Sequence, residues 1–315
     1  MDRARAFERF AWVVLAVAVL VIVWGAVVRA TGSGAGCGQH WPLCNGEVIP
    51  LAPTIATFIE FGHRVSSGLI VILSVALAVA ALRTFPRAHH ARRAAGLALV
   101  FVGVEAAIGA GIVLLQLVAH NASGLRAGYV GLHLVNTMFL TGALTATAWS
   151  ARPRTTGWPE ARRRRWARWL TIGLVAVLVV AAAGAVVALG DTLFPQPTLA
   201  AGLAADFDPA SHALTRLRVW HPVLAVVTSA YLIWVISRSD ALDEPTVRRP
   251  ARLALALIAG QVGLGVVNLI ALAPLALQMA HLFVSNALWV VLVWIWLTVS
   301  VRALPRASVP RESAA

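Results

Sequence analysis

The chain has 315 residues, 59% of them hydrophobic, with a mean hydropathy of +0.80 and a formal net charge of +13. A soluble domain of that composition could not cover its own surface, so the reading is an all-α integral membrane protein. The basic residues are all arginine and lie dispersed in short segments without interleaved aromatics, which argues against nucleic acid as a partner and for membrane lipid.

Eight stretches are long and apolar enough to cross a bilayer as helices, a task that takes about 20 residues. In chain order they are 10–29, 63–82, 94–116, 130–150, 169–190, 217–237, 253–273 and 277–301. The first is read as a retained helix, because no small-residue cleavage site followed by a soluble domain is evident. Arginines fix the orientation. One set of segments holds 21 of them: Arg3, Arg5 and Arg9, four in 83–93, seven in 151–168, four in 238–252, and Arg302, Arg306 and Arg311. The other set holds five: Arg29, Arg64, Arg126, Arg216 and Arg218. The imbalance predicts a multi-pass cell-membrane protein with both termini cytoplasmic. The run Arg162–Arg165 reads as a solvated flank against anionic lipid.

The chain repeats itself. Gly25-Ala26-Val27-Val28 recurs as Gly184-Ala185-Val186-Val187. The first glycine precedes His63 by 38 residues and the second precedes His221 by 37. Glu105 and Gly109 in the third span answer to Gln261 and Gly265 in the seventh, and each half ends on a His-Leu helix, at His133 and His281. This predicts two pseudo-symmetric four-helix bundles, residues 1–150 and 169–315, joined by a basic cytoplasmic linker 151–168. Small residues would let the helices approach closely.

His63, His133, His221 and His281 fall on alternate spans, all near the outer face and within the first turn or two of their helices. An imidazole inside a membrane protein is costly without a partner, and paired imidazoles facing each other across a bundle form a natural cage for heme iron. A satisfied interhelical histidine is the plainer alternative for any one of them. His89, His90, His120 and His212 read as solvated.

The halves differ most between spans one and two, where Arg29-Ala-Thr-Gly-Ser-Gly leads into Cys37 and Cys44, followed by Glu60-Phe-Gly-His63-Arg64. Cys37 and Cys44, the only cysteines, lie on the outer side and most simply form a disulfide, either structural or redox-active. His40 sits between them. Glu60 shares a helix face with His63. There a carboxylate can move protons beside a heme, or merely pair with Arg64. Glu105, deep in span three, is either a protonated hydrogen-bonding acid or part of a proton path. The outer arginines Arg29, Arg64, Arg216 and Arg218 are candidates for heme propionates, with interfacial snorkelling the alternative.

Taken together, the Arg-x-Thr-Gly-Ser-Gly segment, the Cys-x6-Cys loop with its Trp-Pro-Leu, the Glu-x-x-His-Arg run, the eight spans and the four histidines resemble the bacterial heme A synthase family. The resemblance implies an enzyme that oxidises a methyl group of heme O to the formyl group of heme A. It implies that Glu60, His63 and His133 serve a substrate site for heme O, while His221 and His281 hold heme b as a cofactor. Heme O synthase and a terminal oxidase would be its pathway neighbours. Family members can carry a second cysteine pair in the second half, which this chain lacks. The alternative is a bis-histidine b-type cytochrome without heme-modifying activity. Heme prenylation would need aspartate-rich magnesium motifs, and the spans contain none.

Overall fold

In hydrocarbon the backbone must satisfy itself, so an apolar run of spanning length becomes a helix. The computed structural model describes residues 3–301 and contains no β-strand among them. The arginines at 302, 306 and 311 lie outside the described residues. Seven long helices are α1 (Arg3–Ala30), α2 (Ile55–Thr84), α3 (His90–Leu114), α4 (Gly124–Ala151), α5 (Glu160–Leu193), α10 (Pro245–Ile270) and α11 (Leu275–Ser300). The eighth crossing, Ala213–Ile236, is composite. It comprises α7 (Ala213–Arg216), a 3-10 turn at Leu217–Val219 and α8 (Trp220–Ile236). All eight crossings are long and apolar enough to span a membrane.

The helices begin earlier than their apolar cores. Thr54 caps α2 by accepting from Thr57 N, and Ser123 caps α4 by accepting from Arg126 N, so both start ahead of the spans read from hydropathy. His63 and His133 consequently sit in the third turn of their helices, deeper than the first turn or two expected from hydropathy. His221 is the second residue of α8, and His281 stands in the second turn of α11. The segment 191–216 is more ordered than a plain loop. It folds α6 (Leu199–Phe207) and α7, capped by the side chains of Thr198 and His212. A further short helix, α9 (Ser239–Asp243), precedes α10.

Four helices form the centre. α4 packs on α1, α3, α5 and α11, and α11 packs on α1, α4, α5 and α10. α2 and α3 lie to one side, α8 and α10 to the other. α4 is the least apolar of the eight crossings and the most buried. Thr141, Thr145 and Thr147 are buried and return their hydroxyls to carbonyls one turn back. Between α4 and α11, Trp289 Nε1 donates to Met138 O at 2.7 Å and lies over Gly142, while Trp149 Nε1 donates to Thr298 Oγ1 at 3.2 Å. The rings of Trp12 and Trp294 meet at 5.5 Å, tilted by 34°. Hydrogen bonds between membrane helices are worth about 0.6 kcal/mol, up to roughly 1.7. Trp289→Phe keeps the ring and removes the N–H. It should destabilise the detergent-solubilised protein by about that amount in equilibrium unfolding.

Candidate heme site

In each half, a repeated glycine lies directly under a histidine. A methyl group added to Gly25 would sit 2.8 Å from His63 Cε1, and one added to Gly184 would sit 2.8 Å from His221 Cε1. Only a residue without a Cβ lets α1 and α5 approach these rings. The second glycine of each half is also at a ring, Gly109 beside His133 and Gly265 beside His281. The landmarks read from the sequence therefore meet at the imidazoles in both halves.

In the first half, His133 Nδ1 lies 2.9 Å from Glu105 Oε1, off the N–H axis, so the contact is electrostatic. The carboxylate is held by Asn136 Nδ2, which also donates to Phe101 O, and by the Thr137 hydroxyl. In the second half, the rings of His221 and His281 are 6.4 Å apart, centre to centre. His221 Nδ1 is 3.1 Å from Val180 O, and Gln261 Nε2 is 3.0 Å from His281 Nε2.

The ring spacing of His221 and His281 fits heme iron. Two imidazoles ligating one ion at about 2 Å each have ring centres roughly 6 Å apart, the spacing of His221 and His281. Nδ1 of His63, Nδ1 of His281 and Oε1 of Gln261 are buried without a hydrogen-bond partner among the described residues. Buried polar atoms left open in this way mark a site with unfilled bonding capacity. No cluster of three or more His, Cys, Asp or Glu side chains able to hold a bare metal ion occurs among the described residues.

The loop after α1 is pinned to the start of α2. Cys37 and Cys44 form a disulfide. Glu60, 3% exposed, accepts from Cys37 N at 2.8 Å and from Arg64 Nε at 3.1 Å. Arg64 Nη1 donates to His40 O and Leu43 O, both at 2.6 Å. Thr57 Oγ1 donates to Gly36 O, and a Cβ on Gly36 would lie 2.5 Å from the Ala56 backbone. Glu60 thus stands between the disulfide loop and the turn that carries His63. The His40 side chain is exposed and contributes its carbonyl.

The four arginine candidates are placed differently. Arg64 is spent on Glu60 and the loop carbonyls. Arg29 reaches across to the second half, donating to Ala188 O at 2.6 Å, Thr192 Oγ1 at 2.7 Å and Gln278 Oε1 at 3.0 Å. Arg218 pairs with Asp191 at 3.1 Å and Asp206 at 2.7 Å, tying α6 to the end of α5. Arg216 is exposed at the end of α7. Sequence reasoning missed Asn136, Thr137, Asp191, Asp206 and Gln278. The signal for the two aspartates was present: acids flanking an apolar span, near an arginine, call for a partner. Among the other histidines, His120 and His212 are exposed, and His89 stacks on Phe85.

The COX15-CtaA family model, described as cytochrome oxidase assembly protein, matches residues 8–293. A protoheme IX farnesyltransferase of Thermus thermophilus is 44% identical over 289 residues, covering 91% of this chain and 47% of that protein. The chain thus spans about half the length of that relative. A heme A synthase of Symbiobacterium thermophilum is 32% identical over 289 residues, 88% of this chain and 90% of that protein. Another from Halalkalibacterium halodurans is 39% identical over 123 residues, covering 39% of this chain and 41% of that protein.

Removing the Glu60 carboxylate leaves the buried Cys37 N–H without an acceptor and Arg64 with only its loop carbonyls, at a cost of about 1–3 kcal/mol. Glu60→Ala should therefore speed protease cleavage between residues 31 and 54 by about tenfold or more, a factor that corresponds to 1.4 kcal/mol. Limited proteolysis followed by mass spectrometry reads this directly.

Proposed function

The chain belongs to the COX15-CtaA family, and on that premise we infer that it is a heme A synthase, an oxidoreductase that converts the methyl substituent of heme O to the formyl group of heme A. One observation carries the reading: the same glycine–histidine contact occurs in both halves, while the disulfide loop and Glu60 occur in one only. A plain electron relay has no need of that asymmetry.

The chain divides as residues 1–150, the linker 151–168 and residues 169–315. His63 and His133 grip the iron of the substrate, heme O. His221 and His281 hold heme b, which supplies one-electron redox chemistry when bound. Apolar helix faces bury the macrocycle and exclude water. Glu60 is the acid nearest the substrate histidine in sequence on its helix, and its links to Cys37 N and Arg64 hold it buried. It can hold a proton or balance positive charge as the methyl carbon is oxidised. Arg216 alone of the four candidate arginines stands exposed at the outer mouth, suited to a propionate. The arginine distribution supports both termini lying in the cytoplasm of a bacterial cell, with the four histidines toward the outer face. A heme O-producing enzyme upstream and a terminal oxidase downstream are its pathway partners.

Prenyl transfer is not the activity adopted. The chain spans about half of the relatives that carry the farnesyltransferase name, and its membrane spans hold no aspartate-rich cluster for magnesium.

Expression with a source of heme O, followed by pigment extraction, tests the reading. Heme A should appear; recovery of heme b alone would make the protein a cytochrome. His63→Ala should abolish turnover, and His221→Ala should deplete bound heme b. Intact turnover in His63→Ala would overturn the substrate-site assignment.

A further inference from the structure

The two halves place different groups behind the histidine of their last helix. Behind His133 stands a carboxylate: Glu105 Oε1 is 2.9 Å from the ring Nδ1. Behind His281 stands an amide: Gln261 Nε2 is 3.0 Å from the ring Nε2. The acid and the amide occupy matching positions, four residues before the glycine that abuts the same ring.

Glu105 is built to act on an imidazole. Asn136 Nδ2 donates to Oε2, the Thr137 hydroxyl donates to Oε1, and the remaining direction of Oε1 faces His133. Asn136 and Thr137 lie three and four residues after His133, on the same helix face, so one turn of α4 carries the ring and both groups that hold the acid. The bond from Asn136 to Phe101 O fixes the direction of its amide, which must donate to Glu105. A side chain surrounded by donors in this way is an acceptor, the role of a carboxylate. A carboxylate on Nδ1 leaves Nε2 as the nitrogen free to ligate, fixes the ring's tautomer, and makes the imidazole a stronger donor to a ferric ion. Gln261 does not do this: its amide nitrogen meets the other ring nitrogen, Nε2, and His281 Nδ1 has no such acceptor among the described residues.

We propose that Glu105 is a positioning residue for the first-half heme: it aligns on His133 Nδ1 by a small rotation of the ring and holds that heme at a lower reduction potential than the one ligated by His221 and His281. The pair Glu105/Gln261 is then the device by which two similar histidine pairs are given unequal redox properties, with oxidation favoured in the half that carries Glu60. This inference rests on heme ligation by the four histidines.

The test is a potentiometric titration of the full-length purified protein loaded with hemin at both sites. Wild type should show two one-electron waves. Glu105→Gln, which copies the second half, should move the lower wave positive and leave the other in place. Loss of such an outer-shell partner typically costs 10–100-fold, and a tenfold change in ferric over ferrous affinity is about 59 mV for one electron. Gln261→Glu should move the higher wave negative by a similar step, a direction that damage to packing would not produce. If Glu105→Gln does not fold, Gln261→Glu decides alone. Hemin binding with unmoved waves overturns this inference and leaves the heme reading intact. Failure of the wild type to bind hemin overturns both.

Discussion

A polar group inside hydrocarbon has no water to bond, so each must find its partner within the protein. That constraint organises the whole molecule. α4 satisfies it by turning Thr141, Thr145 and Thr147 back on their own carbonyls. The α4–α11 contact satisfies it by giving each indole a carbonyl or a hydroxyl on the opposite helix. Among the described residues ten buried side-chain polar atoms have no partner, and four of them belong to the candidate site: Nδ1 of His63, His133 and His281, and Oε1 of Gln261.

The outer loops solve a second problem, that of holding a rim over buried imidazoles. In the first half the solution is covalent and ionic together: a disulfide, with Glu60 and Arg64 binding its backbone to α2. In the second half, which has no cysteine, Arg218 between Asp191 and Asp206 ties α6 to α5. Both arginines lie close in sequence to a candidate iron ligand. Arg29 connects the halves at the same face, so the two rims are not independent.

Eight crossings and their order were legible because hydropathy is a local signal. Helix starts were less so: they are set by the capping hydroxyls of Thr54 and Ser123, which a hydropathy window does not detect. The composite crossing from Ala213 was also obscured, although Pro222 in the first turn of α8 is where a missing N–H costs least. The partners of the arginines could not be read at all. Arg29 bonds residues 159 to 249 positions away, and only packing brings those together. The propionate role suggested for Arg29, Arg64 and Arg218 competes with the protein groups they already hold. The environment of Glu105 was half visible: its spacing to Gly109 was plain, but Asn136 and Thr137 reach it from another helix.

The account depends on pairs of imidazoles closing on one iron from opposite sides. Low-temperature electron paramagnetic resonance of the oxidised, purified protein measures this most directly. Low-spin ferric signals of bis-imidazole character, matched by a Soret band, are the predicted result. A preparation without Soret absorbance, or one with high-spin iron only, would contradict it.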